Sequence, residues 1–126
     1  MKKMIVRHTL SFKNAFRGIA WALQTQPHLI FHFLAALVVF VAGFYFRVSN
    51  LEWLALLAVI AMVIVTELIN TAVEIITDYL KLKKMTEQED LFIMMAKDIG
   101  AAAVLLAAIF AVAIGFIIFG PRLISL

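Results

Sequence analysis

The sequence predicts an all-α integral membrane protein with one amphipathic surface helix and three transmembrane helices. Composition is the first observation, because 65% of the 126 residues are hydrophobic and the mean hydropathy is +1.05. Soluble domains contain only about 45–50% apolar residues. The second observation is that three apolar segments approach the roughly 20 residues that a helix needs to cross a bilayer. The third is a basic N-terminal segment that is too polar to span. We therefore expect residues 1–126 to form a single membrane domain.

Residues 1–28 are predicted to form the surface helix. Apolar side chains repeat there at helical spacing and make one stripe: Phe12, Phe16, Ile19 and Leu23. Lys13 and Arg17 fall off that stripe, as in a helix that lies on the inner leaflet. The alternative is a soluble helix that packs as a cap on the membrane bundle. Pro27 is expected to end this helix or to turn the chain into the first span.

The first and third spans are predicted at residues 29–46 and 97–119. The first contains His32 as its only strongly polar residue, and the third carries no charge after Asp98. Small residues recur every four positions on one face of the third span: Ala103, Ala107, Ala111 and Gly115. Small residues at this spacing let helices approach closely. Three helices enclose little interior, so we favour subunit association over packing within one chain.

The second span, residues 52–81, carries polar side chains within an apolar helix. Only Leu54–Val65 is purely apolar, which is too short to cross a membrane. The helix must therefore continue through a polar series at steps of three, four and four: Glu67, Asn70, Glu74 and Asp78. At about 100° per residue these side chains share one face. Acidic residues within a span are costly and usually mark a functional site.

The distribution of Lys and Arg predicts the orientation of the chain. Most of the 11 basic residues lie before the first span or after the second: Lys2, Lys3, Arg7, Lys13, Arg17, Lys81, Lys83, Lys84 and Lys97. Only Arg47 and Arg122 fall on the opposite side. Because Lys and Arg are enriched in cytoplasmic loops, we expect a cytoplasmic N-terminus and an outer C-terminus. The polar face of the second span then lies near the cytosolic surface.

Three interpretations of this polar face remain open from the residues alone. Its side chains could join helices by hydrogen bonds, or could form a proton or solute pathway. The third interpretation is a metal–phosphate site, because Mg²⁺ is bound by carboxylates and substrate phosphates. Lys97 and Asp98 open the third span on the same side of the membrane and could balance charge or bind phosphate. We favour the third interpretation. The chain has no cysteine, so thiolate metal sites are excluded.

The charged segment 82–91 is predicted to be a solvated loop. Thr86 followed by Glu89 has the spacing of a capping box, which would begin a short helix.

Four stretches of the chain resemble the small bacterial diacylglycerol and undecaprenol kinases. ELINTAVEIITD at 67–78 is similar to the family signature E-x-x-N-[ST]-A-[IV]-E-x-x-x-D, and AKDIGAAAV at 96–104 is similar to its second block. SFKNAFRGI at 11–19 and LEW at 51–53 resemble the Gram-positive branch. His32 lies where the family has a histidine. The resemblance covers nearly the whole chain.

The resemblance implies a homotrimer of three-span subunits in the bacterial inner membrane, with an N-terminal surface helix. It implies phosphorylation of a lipid alcohol with ATP and Mg²⁺, and the chain indeed lacks the glycine-rich loop of soluble nucleotide-binding proteins. The Gram-positive-like blocks favour undecaprenol as the acceptor, with diacylglycerol second. The alternative is a weak or inactive member that serves as a small membrane scaffold.

The resemblance also assigns roles to residues of the polar face. It implies that Glu67 is the catalytic base, that Asn70 orients Glu67 or the phosphates, and that Glu74 binds Mg²⁺. Asp78 would lie near the nucleotide. Lys97 and Asp98 match the pair that contacts the ATP polyphosphate, and the family touches ATP at the positions of Arg7 and Asn14. We expect the lipid to contact Glu67, Phe12 and Phe16.

The chain departs from the family pattern at two places. The family usually has a metal-binding Glu in the turn before the first span, where this chain has Gln26, with His28 at the position of an Asn. A Gln carbonyl can bind Mg²⁺ but brings no charge. The loop between Asp78 and Lys97 also lacks the usual nucleotide contact, and three acids could replace it: Glu87, Glu89 and Asp90.

Overall fold

The computed structural model describes the backbone of residues 2–125 and the side chains of residues 12–125. Four α-helices follow one another in this part of the chain: α1 (Lys2–Thr25), α2 (Pro27–Tyr45), α3 (Asn50–Lys81) and α4 (Glu87–Ile124). The last three are long and apolar enough to cross a membrane, and most of their large apolar side chains are exposed, as expected for lipid-facing surfaces. The predicted all-helical membrane fold is confirmed. The trimer and the placement of α1 on a membrane surface stay predictions.

The turn between α1 and α2 follows from a proline at the start of a helix. Gln26 is the N-cap of α2 and has extended backbone angles, and Pro27 occupies the first helical turn. Pro suits this position because its missing N–H would have no partner there. The Gln26 N–H donates to the Ala22 carbonyl at 2.8 Å, and Ala22 and Leu29 are buried on either side of the turn. This geometry fixes where α1 leaves the bundle.

A hairpin joins α2 to α3 in four residues. Arg47 lies in the left-handed region with φ of 50°, the conformation that commonly ends a helix. The Val48 N–H then donates to the Gly43 carbonyl at 3.0 Å. The absent side chain of Gly43 makes room for Trp53, since a Cβ there would lie 2.6 Å from the indole ring. The hairpin thus brings α2 and α3 into close contact.

An ion pair links the start of α3 to the end of α4. Arg122 donates from both terminal nitrogens to the two carboxylate oxygens of Glu52, each at 2.9 Å. Glu52 also accepts from the Ser49 N–H at 2.7 Å and completes the capping box that begins α3. The side chains of Glu52 and Arg122 are 26% and 29% exposed, so the pair is half-buried. It lies beside an apolar cluster that contains Leu56 and Ile118.

The connection between α3 and α4 is shorter than the sequence predicts. The capping box is confirmed, because Thr86 accepts from the Glu89 N–H and Glu89 accepts from the Thr86 N–H. The expectations of a loop through residue 91 and of a short helix are wrong. The capped helix continues as α4 to Ile124. Acids in its first turn complement the partial positive charge at a helix N-terminus, and Asp90 pairs with Lys81 at 3.6 Å.

The paired contact of Glu52 with Arg122 generates a stability prediction. We expect Arg122→Ala to lower the thermal unfolding midpoint in detergent micelles by several degrees, because it leaves a half-buried carboxylate without its two charged donors. Arg122→Lys should recover only part of the loss, since Lys cannot form the two parallel hydrogen bonds. Arg47→Ala is the matched control, because Arg47 is an exposed cation at the same end of the bundle. Equal midpoints for Arg122→Ala and Arg47→Ala would contradict the prediction.

Candidate functional site

The polar face of α3 is buried at Glu67 and Asn70 and exposed at Asp78, near the C-terminal end of the helix. Helix α3 is continuous through the four residues of this face, as their spacing predicts. Glu67 is 5% exposed and Asn70 is 8% exposed. Glu74 is half-buried, and Asp78 is exposed. The face therefore runs from a buried carboxylate toward water.

Asn70 and Glu74 form one unit on this face. The Asn70 Nδ2 group donates to Glu74 Oε1 at 3.0 Å, and the residues are four positions apart on the same helix. Asn70 Oδ1 is buried and has no hydrogen-bond partner within the described part of the chain. It lies against α4 at Gly100. The amide therefore fixes one oxygen of Glu74, and the other oxygen stays available to a ligand.

Asp78 and Lys97 bring α3 and α4 together at the exposed end of the face. Lys97 Nζ donates to Asp78 Oδ1 at 2.8 Å, and the side chains are 34% and 64% exposed, respectively. Asp98 is exposed on the next position of α4. A solvent-accessible Lys beside a carboxylate can exchange that partner for an incoming phosphate, because both offer anionic oxygens to the ammonium.

Glu67 is a buried residue for which the described side chains provide no basic partner. No hydrogen bond or ion pair among them reaches its carboxylate. Its oxygens are not among the fully enclosed atoms, so they are accessible to a ligand. An acid within a membrane helix is costly and usually marks a functional site.

A groove of about 310 Å³ lies between α1 and α3, and Glu67 is not part of its lining. The groove is lined by Ala15, Gly18, Ile19 and Trp21 of α1 and by Leu68, Thr71, Ala72 and Ile75 of α3. Leu68 follows Glu67 directly along α3, and the lining is almost entirely apolar. Phe12 and Phe16 are exposed and are not part of this lining. The groove has the character expected for an apolar chain that reaches the acid face from the membrane.

Several predicted site residues make no hydrogen bond or ion pair with the polar face among the described side chains. Asn14 is exposed on α1, and Gln26 is a half-buried N-cap whose side chain makes no capping bond. Arg7 lies outside the residues whose side chains are described. Two of the three acids in the first turn of α4 have local partners, since Glu89 caps the helix and Asp90 pairs with Lys81, and the third, Glu87, is exposed.

The donor set of this face fits a partly hydrated divalent cation. The described residues contain no group of three or more His, Asp or Glu side chains that could hold a metal ion. Mg²⁺ commonly keeps several waters and binds through one or two carboxylates plus substrate phosphates. Glu74, which accepts a hydrogen bond from Asn70, supplies one such carboxylate. The residues therefore fit a metal that arrives with a nucleotide.

Gly100 is a site residue that sequence reasoning missed. It opens the run of small residues GAAAV, which the spacing argument assigned to helix contacts in general. The structure shows that Gly100 adjoins the Asn70 side chain. The sequence signal for Gly100 was a glycine inside a helix otherwise rich in alanine. Only the packing of α3 against α4 shows that Asn70 is the residue it contacts.

Comparison with known proteins places these features in a family. The family model described as prokaryotic diacylglycerol kinase matches residues 13–119. The chain is 34% identical to an undecaprenol kinase of Bacillus subtilis over 113 residues, which is 90% of this chain and 88% of that protein. It is 32% identical to a diacylglycerol kinase of Synechocystis over 117 residues, which is 93% of this chain and 65% of that protein. The resemblance drawn from the sequence motifs is confirmed.

The exposure of the Asp78–Lys97 pair generates a second stability prediction. We expect Asp78→Asn to change the thermal unfolding midpoint very little, because exposed ion pairs contribute little to stability. The change should be much smaller than that caused by Arg122→Ala at the half-buried Glu52–Arg122 pair. Both variants are measured in the same detergent by the same thermal ramp. A larger loss from Asp78→Asn would assign the Asp78–Lys97 pair a structural role.

Proposed function

Because the chain belongs to the prokaryotic diacylglycerol kinase family, we propose that it is an ATP- and Mg²⁺-dependent kinase of membrane lipid alcohols. One observation carries the proposal: the buried carboxylate of Glu67 lies on the same helix face as the Asn70–Glu74 pair. The face continues to Asp78, which Lys97 contacts. A proton acceptor, a metal ligand and a phosphate-binding cation are thus arranged along one side of α3.

Undecaprenol is the proposed acceptor. The support comes from the residues at 11–19 and 51–53, which resemble the Gram-positive branch of the family. The two named relatives are nearly equal in identity, at 34% and 32%, so identity does not separate the acceptors. Diacylglycerol is the second candidate. Both are alcohols on apolar chains, and both suit the apolar groove between α1 and α3.

Glu67 is the proposed catalytic base. Its carboxylate would accept the proton of the lipid hydroxyl while the hydroxyl oxygen forms a bond to the γ-phosphorus of ATP. The bond between that phosphorus and the bridging oxygen to the β-phosphate breaks, and ADP carries the electron pair away. Phosphoryl transfer depends chiefly on positioning and charge stabilisation. A base held by a rigid helix, as Glu67 is within α3, meets the positioning requirement.

Glu74, Asp78 and Lys97 are proposed to bind the nucleotide side of the reaction. Mg²⁺ would neutralise the charge on the phosphates when bound. Glu74 presents one carboxylate oxygen that is free of the Asn70 amide. Lys97 would contact the polyphosphate together with Asp98, and it would leave Asp78 to do so. Arg7, Asn14 and Gln26 stay proposed contacts to ATP or metal.

The assembly and orientation are also proposals. A homotrimer would cover the exposed side chain of Ala103 on α4 and would bring α1 of one subunit close to others. Ala107, on the same small-residue face, is already buried within the chain. The charge distribution supports a cytoplasmic N-terminus in the bacterial inner membrane. The polar face then lies where ATP arrives from the cytosol and the lipid arrives along the inner leaflet, with α1 on its surface.

A direct assay tests the activity and the choice of acceptor. Purified protein is incubated with Mg²⁺ and γ-labelled ATP in mixed micelles that contain undecaprenol, diacylglycerol or neither. We expect phosphate transfer to undecaprenol with the higher kcat/KM. A higher kcat/KM for diacylglycerol would exchange the two candidates. Absence of transfer to either lipid alcohol, from protein that is folded by its thermal midpoint, would favour the scaffold alternative.

Substitutions on the polar face separate the proposed roles. We expect Glu67→Gln to lower kcat by at least about 100-fold, the scale of general base catalysis, while ATP binding is retained. Glu74→Gln should instead raise the Mg²⁺ concentration needed for half-maximal activity. Glu52→Gln is the matched control, because it makes the same change on α3 about 22 Å from Glu67 at 1.5 Å per residue. It should lower the thermal midpoint but not the turnover of folded protein. Near-normal kcat in Glu67→Gln would remove its assignment as the base.

A further inference from the structure

At Gly100 of α4, the space that a side chain would fill is taken by the side chain of Asn70. A Cβ built at this position would lie far inside van der Waals contact with Asn70 Oδ1, and 3.4 Å from Asn70 Cγ. Gly115 and Gly120 lie on the same helix, and a Cβ at either would meet nothing within 4 Å. The space at Gly100 therefore serves the Asn70 side chain in particular.

The Asn70 carboxamide is held at both of its ends. Its Oδ1 atom fills the space above Gly100, and its Nδ2 group donates to Glu74 Oε1. Within residues 12–125 the oxygen gains no hydrogen bond in this position, although it is buried. Burying an acceptor without a partner opposes folding, so this orientation of the amide is not what stability alone would select. It does direct the amide nitrogen onto the Glu74 carboxylate.

We propose that Gly100 is a positioning residue for the phosphoryl-transfer site. By leaving room for Asn70 Oδ1, it holds the Asn70 amide nitrogen on Glu74 and so directs the other Glu74 oxygen toward the metal–nucleotide complex. The inference rests on the proposed function for its consequence and on the structure for its geometry. Gly100 touches neither substrate nor metal, and it acts through Asn70.

A Cβ at position 100 would collide with the side chain of Asn70 and not with the backbone of α3. The Asn70 Cα would be 3.9 Å from the added Cβ, which is an ordinary contact. Helices α3 and α4 therefore need not separate when Gly100 becomes alanine. The carboxamide can rotate away, and the hydrogen bond to Glu74 is lost. Alanine is also a better helix former than glycine, so folding should not suffer.

A kinetic test compares Gly100→Ala with Gly120→Ala, which makes the same change in open space on the same helix. We expect Gly100→Ala to raise the half-activating Mg²⁺ concentration by about 10- to 100-fold, the usual scale for residues that orient a metal ligand. Its thermal midpoint should be unchanged or higher. Gly120→Ala should leave the Mg²⁺ dependence unchanged. A lowered midpoint with unchanged Mg²⁺ dependence in Gly100→Ala would assign Gly100 a purely structural role and overturn the proposal.

A double substitution tests whether Gly100 acts through Asn70. In an Asn70→Ala background the colliding oxygen is absent, so adding Gly100→Ala should cause no further rise in the half-activating Mg²⁺ concentration. Residues that act through one contact are non-additive in this way. If the two effects multiply, the path through Asn70 is wrong.

NMR of the asparagine side chains tests the contact between Gly100 and Asn70 without relying on the proposed activity. Asn14, Asn50 and Asn70 are the asparagines of the chain, so ¹⁵N-asparagine labelling gives one pair of side-chain amide signals for each. We expect Gly100→Ala to shift the Asn70 pair and leave the other two in place, without ATP or metal. An unshifted Asn70 pair would overturn the role of Gly100 whether or not the protein is a kinase. If the Asn70 signals shift in Gly100→Ala while the wild-type protein phosphorylates no lipid alcohol, the geometry is supported and the proposed function is rejected.

Discussion

The packing of α3 against α4 is the constraint on which the rest of the structure depends. Helix α3 must cross the membrane while it carries acids and an amide, and hydrocarbon cannot solvate them. The surface of α4 adjoins the middle of this polar face at Gly100. Ion pairs connect the two helices near both ends, through Glu52 with Arg122 and Asp78 with Lys97. The polar face is therefore stable only as part of this helix pair.

The two ion pairs have different physical settings and different consequences. The Glu52–Arg122 pair is half-buried, has two parallel hydrogen bonds and is joined to the cap of α3. Its geometry suits a permanent contact between helices. The Asp78–Lys97 pair is more exposed and has a single bond, so a phosphate can replace the carboxylate at small cost in stability. A site that must bind and release a nucleotide requires the second kind of contact.

The hydrogen bonds of α3 test whether its polar face serves only to join helices. Polar side chains that only join membrane helices are expected to bond across the interface. Asp78 does bond across it, to Lys97. In the buried part of the face, however, Asn70 bonds within α3 to Glu74, and its oxygen has no partner in the described part of the chain. Glu67 has no hydrogen-bond partner there either. A buried acceptor without a partner opposes stability, and it suits a site that gains partners when a ligand binds.

The sequence by itself determined the helical membrane class, the order of the spans and the single polar face, because composition and helical periodicity are local properties. It also located Glu67, Asn70, Glu74 and Asp78, whose spacing alone places them together. The length of α4 was not predictable from the apolar pattern, because α4 begins at the capping box of Thr86, inside a charged segment whose composition is typical of a loop. The Glu52–Arg122 pair and the contact of Gly100 with Asn70 were decided only by tertiary structure. Both join residues far apart in the chain, and their chemistry depends on which faces of α3 and α4 meet.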